Sequence, residues 1–151
     1  MTPVLNGPWD EQAVAEFLAS AVVPLRLAAV GKDGFPRVVS VGYCFHEGEI
    51  LCASHSGSQL IGLLRNNPRV GFEVAPNEPP YHGVRGQGTV ELTPEGAGAT
   101  LEHLIDRYLG NAESGLAQWL LSRKEDELLI RLRPDRVFSW DYRERMSSSG
   151  D

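Results

Sequence analysis

Ser54-His55-Ser56-Gly57-Ser58-Gln59-Leu60 follows an apolar stretch, Ile50 to Ala53, and precedes a short run that ends at Asn67-Pro68-Arg69-Val70. The spacing predicts a chain that leaves a strand and enters a helix through small and polar residues. Such a turn presents backbone N–H groups, serine hydroxyls and the positive end of a helix dipole. That is chemistry suited to an anion, a phosphate above all. The same residues equally describe a helix start whose serines satisfy the first turn, with His55 as an exposed loop residue. The sequence leaves both readings open.

Further candidates lie along the chain. Gly83, Gly86 and Gly88 punctuate one predicted strand, Gly83 to Leu92, and glycines inside a strand mark bulges, barrel curvature or the close approach of a ligand. Gln87 sits among them. Buried, its amide needs a partner; alternating with Arg85, it shares that residue's solvent face. Arg37 can pair with a phosphate or serve as a solvated strand-end charge. Tyr81 and His82 suit a pocket wall or a surface loop, and Trp140 reads as core or interface packing. The four histidines show no metal-ligand spacing, so no metal site is expected. Cys44 and Cys52 flank Glu47-Gly48; a two-residue loop there sets Cys44 opposite Leu51 and puts the thiols on opposite sheet faces, whereas a three-residue loop would bring them opposite each other. Two buried, unbridged thiols are expected. No acid/base triad or dyad stands out.

The elements that must hold these residues follow from periodicity and breakers. Asp10 to Ala19 carries Ala13, Val14, Phe17 and Leu18 at amphipathic spacing, capped by Asp10 or Gly7. Strands are predicted over Leu25 to Val30, Arg37 to Phe45, Glu49 to Ser54, Arg69 to Ala75 and Gly83 to Leu92. A final pair, Glu127 to Leu132 and Arg136 to Trp140, is parted by Arg133-Pro134-Asp135. Ser58 to Asn66 is a helix stopped by Asn67-Pro68. A helical region opens at Pro94, with Leu101, Leu104, Ile105 and Tyr108 on its core face, and Ser114 to Ser122 forms another helix. Strands joined by tight turns, with helices inserted at particular places, give an α+β chain: a small antiparallel barrel of six or seven strands.

At 151 residues, one domain is expected over 10–142, between an N-terminal tail, 1–9, and a C-terminal tail, 143–151. Hydrophobic residues make up 42% and charged residues 23%, the balance of an ordinary globular chain. A net charge of −6, with the basic residues scattered, excludes a nucleic-acid surface. No stretch reaches membrane-span length and the N-terminus is unlike a secretory signal, so no membrane partner and a cytoplasmic location are expected.

Several pieces in this order resemble the pyridoxamine 5′-phosphate oxidase-like FMN-binding split-barrel family. They are Gly34-Phe35-Pro36-Arg37-Val38-Val39, Gly57-Ser58, Leu64-Arg65-Asn66-Asn67-Pro68-Arg69-Val70, Gly83-Val84-Arg85-Gly86-Gln87-Gly88 and Pro134-Asp135-Arg136-Val137-Phe138-Ser139-Trp140. The resemblance implies a split β-barrel with flanking helices, and a homodimer with a flavin site at each interface. It further implies a flavin-dependent oxidoreductase in which FMN carries electrons to or from a small organic substrate. Arg37, Val38, Val39 and Ser40 would line the isoalloxazine; Ser54, Ser56 and Ser58 would hold the phosphate. Gln87 would lie at the flavin's polar edge, and Trp140 would approach from the partner. Family members that bind FMN carry Lys-x-Arg-Asn-Leu where this chain has Leu60-Ile61-Gly62-Leu63-Leu64, so the basic residues are missing. If the phosphate occupies the serine turn, Leu60→Lys is expected to tighten FMN. The resemblance carries two alternatives: a reductase using the deazaflavin coenzyme, whose phosphate-bearing tail also wants the missing bases, and a non-catalytic flavin- or haem-binding barrel, which a degenerate site favours.

Overall fold

The computed structural model describes residues 2–111 and 113–144. The described strands are β1 (Val4–Asn6), β2 (Leu25–Val30), β3 (Pro36–Val41), β4 (Cys44–His46), β5 (Glu49–His55), β6 (Arg69–Val74), β7 (His82–Thr93) and β8 (Glu127–Asp141). The helices are α1 (Glu11–Ser20), α2 (Gln59–Asn66), α3 (Ala97–Leu109) and α4 (Gly115–Leu121), with a short 3-10 turn at Lys124–Asp126. One curled sheet runs in the order β3-β2-β6-β7-β8-β5-β4, every neighbouring pair antiparallel, and β1 lies parallel to β8. This is the expected α+β split barrel.

Alternation along the strands separates an inner from an outer face. Leu25, Leu27 and Ala29 of β2, Val70, Phe72 and Val74 of β6, and Ile130 and Leu132 of β8 are buried inside. Val14 and Leu18 of α1 and Leu60, Ile61 and Leu64 of α2 pack against them in the same core. The two helices therefore fill the barrel and leave the outer face of β3, β2, β6 and β7 bare. Farther along, Leu101 and Ile105 of α3 and Ala117 of α4 pack over Ala53 of β5.

Caps explain where the helices begin. Asp10 accepts the Ala13 N–H at 2.9 Å, Ser58 accepts the Ile61 N–H at 3.2 Å and Ser114 accepts the Ala117 N–H at 3.1 Å. The Pro94 start is displaced: α3 begins at Ala97, after Gly96 in a left-handed conformation with φ 80°.

Other differences come from pairing rather than local preference. The expected strand Arg37 to Phe45 breaks at Gly42-Tyr43, where the Tyr108 hydroxyl accepts the Tyr43 N–H at 3.1 Å. Glu47-Gly48 does form a two-residue loop, pairing Cys44 with Leu51, and both cysteines are free and buried. The two expected C-terminal strands are one continuous β8, because Pro134 falls beside the irregularity at Gln87/Gly88, where the ladder already shifts register. Val4–Asn6, expected in a loose tail, pairs with Arg136, Val137 and Phe138. Most of the expected C-terminal tail, 145–151, lies outside the described residues.

Candidate functional site

The bare outer face carries two cross-strand rows. Strand register places Val38, Ala28, Gly71, Gln87 and Arg136 side by side in the first. The second runs Ser40, Arg26, Glu73, Arg85, Phe138 and Asn6. Small residues at the centre of the first row leave a trough, since a Cβ added at Gly71 would meet nothing closer than 3.7 Å. Above it opens a groove of about 770 Å³ lined by residues of both rows. A second hollow of about 670 Å³ shares Ala28, Gly71, Gly86 and Gln87 with it and continues towards Arg69, Thr89 and Asp135.

The groove is basic on one side. Arg26 donates to the Ser40 hydroxyl at 3.1 Å, and the Arg85 guanidinium lies 4.4 Å from the Phe138 ring centroid. Among the described residues, neither of them nor Arg136 makes an ion pair with a carboxylate, although Glu73 stands between Arg26 and Arg85 in register. On β8, Arg131 and Arg133 are paired: they reach Glu49 at 2.7 and 2.8 Å and, against the opposing effect of burial, hold its carboxyl below its usual range. Unpaired arginines around an apolar trough suit a planar ligand with an anionic part.

The sequence-derived candidates divide between places. Val38, Ser40 and Gln87 stand in the two rows. Trp140 adjoins them, 5.9 Å from the Arg85 guanidinium. Val39 faces the other way and packs against the core. Arg37 pairs with Asp33 at 3.0 Å and donates to the Phe35 carbonyl at 3.2 Å, stapling the β2–β3 turn and lowering the Asp33 pKa.

Ser54, Ser56 and Ser58 gather at the end of β5, across β8 from the groove. There the Ser54 and Ser58 hydroxyls are 2.9 Å apart, His55 Nδ1 accepts the Gly57 N–H at 3.0 Å, and the Ser56 N–H donates to the Asp126 carbonyl at 2.8 Å. Glu127, paired with His55 across the ladder, is buried, and that burial raises its pKa against the pull of His55 and Arg123. The turn's donors are thus largely taken by the protein itself, which is the capping arrangement. A single chain brings the serines and the groove to different places.

Two expectations change here. Leu60 is 7% exposed within the main core, so Leu60→Lys would drive an ammonium among aliphatic side chains and unsettle α2 rather than reach an anion. Gly62, exposed with open space where a Cβ would be, is an outward position of α2, as Gln59 and Arg65 are. The β7 glycines also have protein reasons. A Cβ at Gly86 would strike the Arg136 carbonyl and come within 2.7 Å of the Phe72 ring, and one at Gly88 would strike the Arg133 carbonyl. Arg26, Arg85, Arg136 and Phe138 escaped sequence reasoning because each is an ordinary outward position on its own strand. Only the strand order makes them neighbours.

A family model described as pyridoxamine 5′-phosphate oxidase matches residues 10–141. No curated protein matches the sequence. Among solved structures, a conserved hypothetical protein of Mycobacterium tuberculosis is 26% identical with a TM-score of 0.77, over 92% of this chain and 89% of that one. A structure titled F420 reductase is also 26% identical, with a TM-score of 0.69 over 81% of this chain and 94% of that one. An FAD-binding protein of Mesorhizobium loti shares the fold at 22% identity and a TM-score of 0.62, over 87% and 93% of the two chains.

Proposed function

The chain belongs to the pyridoxamine 5′-phosphate oxidase family, and from that premise we propose that it is a flavin-binding oxidoreductase whose cofactor lies in the outer groove. The observation that carries this reading is the apolar trough at Ala28 and Gly71 bordered by unpaired Arg26, Arg85 and Arg136. The residues fit the group: no side chain stands on the floor at Gly71, and donors sit at its margin. Ala28, Val38 and Gly71 would bear the flat ring system, Gln87 would donate to or accept from its polar edge, and the arginines would hold its anionic tail. Bound there, a flavin supplies hydride or single-electron transfer. The chain's own part is to bind it, orient it and keep water from one face.

A single chain leaves the groove open and Val38 68% exposed, so the proposal includes a homodimer in which a second copy covers this face. The substrate is a small organic molecule. FMN is the first candidate cofactor. A second reading, the deazaflavin coenzyme, is supported by the 26% identity to a structure titled F420 reductase and by arginines placed in the groove rather than at the start of α2.

The test is an absorption spectrum of the freshly purified protein, with mass spectrometry of what heat releases, followed by titration with FMN and with the deazaflavin coenzyme. Tight uptake of either, weakened about tenfold or more by Arg136→Ala, is the expected outcome. Release of haem would transfer the chain to the non-catalytic haem-binding reading, and uptake of none of these would overturn the proposal.

A further inference from the structure

Glu73 is a carboxylate that the groove leaves without a partner. It is an exposed residue of β6 that lines the groove. Two positions beyond Gly71, it shares that residue's face and stands about 7 Å along the strand from the trough. Register sets Arg26 on one side of it and Arg85 on the other, with about 5 Å between cross-strand Cβ atoms. Opposite charges so placed ordinarily pair. Here they do not. Arg26 donates to Ser40 of β3 at 3.1 Å, and the Arg85 guanidinium lies 4.4 Å from the ring centroid of Phe138 on β8. By strand order, each arginine is thus engaged on its side away from β6. The Glu73 side chain takes part in no ion pair and no hydrogen bond among the described residues.

We infer that Glu73 is a positioning residue for the cofactor, accepting hydrogen bonds from the hydroxylated chain that joins the flat ring to its anionic end. The inference rests on the flavin reading, which puts the ring at Ala28 and Gly71 and the anionic end among the arginines. A residue standing between those places must suit what lies between those parts. A ligand anion here meets a like charge, and a ligand ammonium meets Arg26 and Arg85 on both sides. A neutral O–H donor meets neither penalty. The carboxylate has two oxygens with about four acceptor sites and no donor, and hydrogen bonds to a charged acceptor are stronger than those between neutral groups. Several hydroxyls in succession are the donors that such an acceptor can hold. FMN and the deazaflavin coenzyme both carry a chain of this kind, so the role assigned to Glu73 is the same with either.

Fluorescence titration with riboflavin, and with the same ring bearing an unhydroxylated pentyl chain, tests this without turnover. Neither probe carries an anion, which removes the arginines' part from the comparison. Riboflavin is expected to bind the parent chain at least about tenfold more tightly than the pentyl analogue. Glu73→Ala is expected to abolish most of that advantage while moving the analogue less than about twofold. Glu73→Gln, which keeps an acceptor but not the charge, is expected to retain part of it. No riboflavin advantage in the parent, an equal loss for both probes, or an advantage that Glu73→Ala leaves intact would overturn the inference while FMN uptake keeps the flavin reading standing. An intact advantage in a Glu73→Ala chain whose dimer dissociates more readily would assign the carboxylate to a cation of the second copy instead. A parent chain that takes up no flavin at all would overturn both readings.

Discussion

Glu127 carries its carboxyl into the first rung of β8, 6% exposed, beside His55 at the serine turn. Burial raises its pKa above the unfolded value, so its effect on stability has a definite sign. Folding is favoured while the group is protonated, and that advantage is lost as pH rises from the unfolded carboxylate value through the higher folded one. Glu127→Gln, which cannot ionise, should therefore gain stability over the parent at about pH 7 and lose that gain below about pH 4, as read from urea midpoints at the two values. A gain that grows towards acid would mean that the carboxylate is held by its neighbours instead. At this scale the sequence was legible wherever a residue's role is local. Ser58 as a cap and Asp10 as a cap could be seen in the string. Arg37 could not be resolved, because its partner Asp33 lies across a turn whose geometry decides between a staple and a free charge.

Among the elements, α3 does more than cover β5. Its Arg107 donates to the Ala19 and Ala21 carbonyls at 3.1 and 2.6 Å, closing the end of α1. The Tyr108 hydroxyl donates to the Val23 carbonyl at 2.9 Å and accepts the Tyr43 N–H at 3.1 Å. The break between β3 and β4 is thus held by a side chain 65 residues away. Tyr108→Phe removes both bonds and strands a part-buried N–H, which should cost about 1–3 kcal/mol in urea unfolding; a change under about 0.5 kcal/mol would show that water replaces the hydroxyl. Tyr108 could be placed on the helix core face from its spacing with Leu101, Leu104 and Ile105, but not assigned a tether. The Cys44–Cys52 hairpin was legible as a hairpin, but its register was not, because loops of two and of three residues both suit Glu47-Gly48 and give different pairings. β8 read as two strands because Pro134 signals a break, and the bulge that absorbs it belongs to a different segment, Gln87/Gly88.

For the molecule as a whole, strand order was the missing quantity. The family pattern conveyed a split barrel, yet the groove depends on β3, β2, β6, β7 and β8 lying in that succession, with α1 and α2 on the inner side and α3 and α4 packed farther along at β5. The proposed dimer makes the exposed row a buried one, and Val38, 68% exposed at its β3 end, would be covered with it. Val38→Glu should then raise the dimer dissociation constant at least about tenfold, since a twofold interface suffers each substitution twice. Light scattering across a dilution series reads it directly; an unchanged mass would place the interface elsewhere. The pairing of Val4 with Arg136 and of Asn6 with Phe138 has a consequence for biosynthesis. The first wall of the groove to be synthesised waits for almost the last strand before it has anything to pair with, and such long-range closure is the slow part of folding. Nascent or clipped chains that already hold the β2–β3 hairpin would still have no groove, so cofactor loading would serve as a completion signal, reserved for chains whose two ends have met.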